Sequence, residues 1–138
     1  MNILFFLTPK NEVAHVTNTN TLRQVLEKME YHRYSSIPML DKAGRYVGTI
    51  TEGDLLWGIQ KEIGINRKDY ENIPVSKIPR KTNNLAVNVN AEVEDLINMA
   101  VNQNFVPVID DNDIFIGIVK RSDIIQYCFR KMKENENK

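Results

Sequence analysis

Apolar positions along this chain follow two different periods, and the same succession of periods occurs twice. Residues 13–16 read as a short strand. Leu22, Val25, Leu26 and Met29 then recur at helical spacing and form one apolar stripe. A short apolar run at 37–40 and another at 46–50 flank the turn-forming Asp41-Lys42-Ala43-Gly44, which predicts a β-hairpin. Leu55, Leu56 and Ile59 predict a second helix starting near residue 52. The series returns with a strand at 85–89 and a helix carrying Val93, Leu96, Ile97 and Ala100. A strand at 105–109, the turn Asp110-Asp111-Asn112-Asp113 and a strand at 114–119 follow. The last element is a helix from about 121 with Ile124, Ile125, Cys128 and Phe129 on its apolar positions.

The landmarks match in order. Pro38 and Pro107, Gly48 and Gly117, and Asp54 and Asp123 are each 69 residues apart, and the upstream helix aligns at an offset of 71. An apolar residue leads into each copy through Leu7-Thr8-Pro9-Lys10 or Ile78-Pro79-Arg80-Lys81. The chain is therefore an internal duplication of a β-α-β-β-α unit, an α+β fold. A unit of this size buries too little surface alone, so two copies packed sheet against sheet with pseudo-twofold symmetry are expected. The expected division is 1–66, with the N-terminal lead-in, and 67–138, with the connector. The stretch 58–77 reads as a partly helical connector, and the polar tail 131–138 as frayed.

Charge narrows the function. The chain of 138 residues carries 18 basic and 18 acidic side chains, so no basic surface announces nucleic acid. No apolar run approaches a membrane span, and the first residues lack a basic signal region. A single cysteine, Cys128, fits a reducing cytoplasm, and with His15 and His32 it makes no zinc set. No P-loop, catalytic triad or paired carboxylates stand out, so no enzyme activity is expected.

Both copies resemble CBS domains, and the tandem resembles a Bateman module. The resemblance rests on Val13-Ala14-His15-Val16, Thr21-Leu22, Tyr34-Ser35-Ser36-Ile37-Pro38-Met39-Leu40-Asp41 and Gly48-Thr49-Ile50-Thr51-Glu52-Gly53-Asp54-Leu55-Leu56. It spans about Pro9 to Phe129. Such pairs bind adenine nucleotides (AMP, ADP, ATP) or related adenosyl ligands in clefts between the repeats and report to a partner protein. A stand-alone pair resembles small bacterial regulators, some of which bind cyclic di-AMP; Val13–Val16 and Asn102-Gln103-Asn104-Phe105 look like that subgroup. The resemblance implies a regulatory nucleotide and no required cofactor, a homodimer and an unidentified regulated protein.

A nucleotide needs a carboxylate for its ribose diol, a cation or helix start for its phosphate, and a slot for its base. Carried over from the family, one cleft combines Asp123, Arg121 and Lys120 with Ala14, Tyr34, Ser35 and Ser36. A weaker second cleft combines Thr51 and Asp54 with Leu85, Asn104 and Phe105, where bulky Phe105 is expected to narrow the space. The family's usual Thr or Ser is replaced by Lys120. A structural reading stands beside this one. Thr51-x-x-Asp54 also fits a helix capping box, Ser122 is able to cap the other helix, Arg121 and Lys120 fit a solvated surface, and Tyr34 fits a half-buried ring. Trp57, Cys128, Phe129 and Met132 read as core or subunit interface, and the stripes Leu55, Leu56, Ile59 and Ile124, Ile125, Phe129 read as exposed docking faces. A ligand-free interaction module is the alternative function.

Overall fold

The structure is a computed structural model that describes residues 2–63, 70–80 and 84–137. Its elements are β1 (Leu7–Pro9), β2 (Val16–Thr17), α1 (Leu22–His32), β3 (Ser36–Leu40), β4 (Tyr46–Thr51) and α2 (Glu52–Gly58). They are followed by β5 (Val87–Asn88), α3 (Val93–Ala100), β6 (Phe105–Ile109), β7 (Phe115–Lys120) and α4 (Arg121–Glu136). Both β-α-β-β-α repeats are present. One sheet has strand order β2-β3-β4 and the other β1-β7-β6-β5.

The chain separates into two compact units, and they do not follow the repeat boundaries. One unit is Met1–Val13 with Leu85–Lys138; the other is Ala14–Asn84. The lead-in therefore packs with residues of the second repeat, across the sequence division at 66 and 67. The reason is edge pairing and burial. β1 runs antiparallel to β7, with Leu7 opposite Val119 and Pro9 opposite Gly117. Ile3, fully buried, joins Val87, Leu96, Val106, Val108, Val119 and Ile124 in that unit's core. Val75 and Ile78, the lead-in of the second repeat, sit in the other core with Val16, Leu22, Val25, Ile37, Ile50 and Leu55. Each half-module is thus completed by the segment that precedes its twin. Burying a side chain such as Ile3 is worth about 1.5–3 kcal/mol.

The two hairpins turn by the same chemistry. Asp41 accepts from the backbone of Ala43 and Arg45, and Asp110 from that of Asn112 and Ile114. Gly44 and Asp113, one repeat apart, take the left-handed conformation there. Gly117 is required by close approach: a Cβ on it would strike the backbone carbonyl of Thr8 and the side chain of Leu7. At Gly48 the obstructing group is the Arg80 guanidinium instead.

Three expectations are corrected. The tail is helical through Glu136, because α4 continues as one helix of 16 residues. Leu55 and Ile124 are core residues and not docking faces, while Ile59 is only partly buried. Trp57, Phe129 and Met132 are exposed, not core; Cys128 packs partly against the core. Of the connector, residues 59–63 form a π-turn and 75–77 a 3-10 turn, whereas 64–69 lies outside the described residues.

Candidate functional site

The expected primary site draws Asp123, Arg121 and Lys120 from one unit and Ala14, Tyr34, Ser35 and Ser36 from the other; the second draws Leu85, Asn104 and Phe105 from the first and Thr51 and Asp54 from the second. Each side chain is placed below within its own unit.

Both last helices begin where a hairpin strand ends. The N–H of Glu52 donates to Ser35 O, and that of Arg121 to Asn104 O, so each helix start is stitched to the residue before the first strand of its hairpin. Ser36 opens β3 opposite Thr51, and Phe105 opens β6 opposite Lys120. Beyond this symmetry the two aspartates differ. Thr51 caps α2: its Oγ1 accepts from the Asp54 N–H at 3.0 Å, and Asp54 Oδ2 accepts from the Thr51 N–H at 3.1 Å. Asp54 is only 7% exposed. The reciprocal box predicted from sequence is real and engages this carboxylate in holding its own helix. At α4 the N-cap is Lys120, whose side chain makes no capping hydrogen bond. Asp123 is half-buried, and among the described residues its carboxylate has no hydrogen-bond or ion-pair partner. Lys120 has no hydroxyl to accept from the Asp123 N–H, so the side-chain half of the box seen at Thr51 is absent here.

The expected cations behave unequally. Arg121 Nε donates to Gln103 O at 2.9 Å, which ties down its guanidinium. Lys120 is exposed.

The base-side positions also diverge. Leu85 is 60% exposed, but its backbone edge is occupied. Its N–H donates to Gln103 Oε1 at 3.0 Å, and Gln103 Nε2 donates to Leu85 O at 3.1 Å and Phe105 O at 3.2 Å. Gln103 is buried, and Phe105 is buried beside it. Ala14 is the counterpart of Leu85 in the first repeat. Tyr34 stands where Gln103 would, and a phenol cannot form that paired amide clamp. Among the described residues the N–H and C=O of Ala14 have no hydrogen-bond partner. Ser36 is buried and Ser35 exposed, next to each other at the start of β3. Tyr34 packs partly against the core, its ring 5.3 Å from that of His32, and lines an apolar groove with Leu26, Met29, Leu55, Leu56 and Ile59. Within its own unit, then, its ring serves α1 and α2.

Two features add to the expected site residues. Gln103 is one; its signal was the Tyr34-to-Gln103 difference at an offset of 69. The other is a groove of about 580 Å³ inside the unit that holds Asp123. Besides Asp123 it is lined by Phe5, Phe6, Thr8, Tyr127 and Arg130 among others. Phe6 and Tyr127 meet edge to face at 5.2 Å. Lys120 and Arg121 do not line this groove. In the other unit, burial pushes the Tyr46 phenol up to about 12, against the smaller opposing pulls of its Thr49 hydrogen bond and the Arg80 charge. Tyr46 also donates to Asn84 O at 2.8 Å. No group of side chains suited to a metal ion occurs among the described residues, and no helix there is long and apolar enough to cross a membrane.

The family model for the CBS domain matches residues 7–61 and 75–130. The chain belongs to the CBS domain family. Among curated CBS relatives, cyclic di-AMP receptor B of Bacillus subtilis is 26% identical over 129 residues, which cover 88% of this chain and 82% of that protein. Among solved structures, CbpB in complex with c-di-AMP superposes with a TM-score of 0.83 at 22% identity, covering 99% of this chain and 90% of that one. CBSX2 in complex with AMP gives 0.75 at 20% identity, covering 95% and 98%. These likenesses confirm the paired-CBS fold. The chain spans 50% and 61% of the length of two further curated relatives.

Proposed function

We propose that this CBS pair is a non-catalytic sensor that binds an adenosine nucleotide, with Asp123 gripping the ribose diol. The observation that carries the reading is the unengaged Asp123 carboxylate on the first turn of α4, lining a groove with aromatic walls and a cation. The backbone edge of Ala14 and the small hydroxyl residues Ser35 and Ser36 supply the base contacts; Lys120 and Arg121 flank the helix start. Relatives that bind c-di-AMP or AMP support this ligand class. The weaker second site, of Thr51, Asp54, Leu85, Asn104 and Phe105, is spent on structure, because its carboxylate caps a helix and its backbone edge is clamped by Gln103.

Ligand binding shifts the packing of the module, and a partner protein reads the change in the cytoplasm. Leu56, Trp57, Ile125, Phe129 and Met132 are each more than half exposed, and a second copy of the chain covers these apolar faces. A thermal-shift screen with AMP, ADP, ATP and cyclic di-AMP, with light scattering on the same samples, tests the reading. A Tm raised by at least one nucleotide and a dimeric mass are expected. No shift with any of them would return the protein to the class of ligand-free interaction modules, and a monomeric mass would remove the dimer.

A further inference from the structure

We infer that Gln103 is a built-in stand-in for a base: its carboxamide makes to the backbone of Leu85 the contacts an adenine edge would make, and so keeps that edge closed to a nucleotide. The inference deepens the proposed reading and takes only the ligand class from it. Gln103 Oε1 accepts from the Leu85 N–H at 3.0 Å, while Nε2 donates to Leu85 O at 3.1 Å and to Phe105 O at 3.2 Å. The partners dictate the orientation of this amide, an N–H on one side and two carbonyls on the other. Acceptor, carbon and donor lie in one plane. Adenine presents the same succession along N1, C6 and its 6-amino nitrogen, so a backbone edge that satisfies one satisfies the other.

The stand-in is held in place. Gln103 is 7% exposed, its N–H donates to Met99 O at 3.1 Å, and its C=O accepts from Arg121 Nε at 2.9 Å. All these residues belong to one unit. A group tethered to the same chain loses no translational freedom in reaching the edge, whereas a free base does, so the amide holds the edge against a ligand of ordinary affinity. The fold itself does not require the clamp. In the first repeat β2 pairs with β3 through Val16 and Met39, just as β5 pairs with β6 through Val87 and Val108. Yet Tyr34 stands there in place of Gln103, and the N–H and C=O of Ala14 have no hydrogen-bond partner among the described residues.

Hydrogen exchange at the Leu85 N–H, followed by NMR, and calorimetry of AMP on the same samples test this in wild type and Gln103→Ala, with ribose 5-phosphate as the base-free control. In wild type the Leu85 N–H is expected to be protected and unmoved by AMP. Gln103→Ala should speed its exchange about tenfold, the size of one lost hydrogen bond. AMP should restore the protection, ribose 5-phosphate should not, and the variant should take up one further AMP per chain. Exchange unchanged by the substitution, protection not regained with AMP or regained equally with ribose 5-phosphate, or an AMP uptake equal to that of a wild type that binds it would overturn the inference and leave the proposed reading standing. AMP binding by the variant alone would remove the Asp123 reading and keep this one, and binding by neither would remove both. Gln103→Glu keeps the length of the side chain but turns a carboxylate toward two carbonyls. It is expected to behave as Gln103→Ala does, and it replaces the alanine variant if a melting curve shows that one unfolded.

Discussion

Asp54 and Asp123 occupy the same position in their two repeats, three residues into the last helix, yet only Asp54 closes a capping box. Their N-cap neighbours differ. Thr51 offers a hydroxyl that completes the reciprocal pair, whereas Lys120 offers none. The base-side positions diverge in the same sense: Leu85 has both backbone groups bound by Gln103, while Ala14 has neither bound among the described residues. Duplication supplied two equivalent sets of positions, and their side chains now differ in which hydrogen bonds they make. Within a pseudo-symmetric fold, the place to look for function is where the symmetry of hydrogen bonding fails.

The comparison extends to how each unit is closed. Ile3 completes one core, as Val75 and Ile78 complete the other. Ile3→Ala should therefore destabilise the chain by about 2–5 kcal/mol, although it lies at the chain's start. Urea unfolding followed by circular dichroism checks this. A change within ordinary surface values, about 0.5 kcal/mol, would mean that the lead-in is not part of that core.

A smaller effect separates the units by pH. Tyr46 has Phe115 as its counterpart, so only the unit holding Tyr46 carries a phenol at this position. Its pKa is raised from 10.0 to about 12, chiefly by burial. Folding therefore holds the protonated form. That contribution is intact below pH 10 and is lost as pH climbs toward 12. Phenolate absorbance should show one of the five tyrosines titrating late in the folded protein, and Tyr46→Phe should remove that late step. All five titrating together while the protein remains folded would contradict the burial of this hydroxyl.

Much of the architecture was legible in the sequence. The two periods of apolar residues located both helices and the hairpin of each repeat, and the aspartate turns marked where the hairpins reverse. Local patterns are short-range, however, and the exchange of lead-ins is not. Leu7-Thr8-Pro9 carries too few residues to announce a strand, and nothing in its spacing says that its partner is β7, more than a hundred residues away. The capping box at Thr51 and Asp54 was readable for the opposite reason, since it is complete within four residues. The groove beside Asp123 is not legible in the sequence because it joins α4 to that distant lead-in. Gln103 was hidden by its type: its role depends on facing the backbone of Leu85, 18 residues earlier.

The central claim is that Asp123 is the ligand's ribose anchor and Asp54 is a structural twin. Calorimetry on Asp123→Asn and Asp54→Asn in parallel with wild type, using whichever of AMP or cyclic di-AMP raises the melting temperature, tests it most directly. The account predicts that Asp123→Asn loses at least about tenfold in affinity, the value of charge-assisted hydrogen bonds to a diol, while Asp54→Asn binds as wild type does. Undiminished binding by Asp123→Asn, or an equal loss in Asp54→Asn, would contradict it.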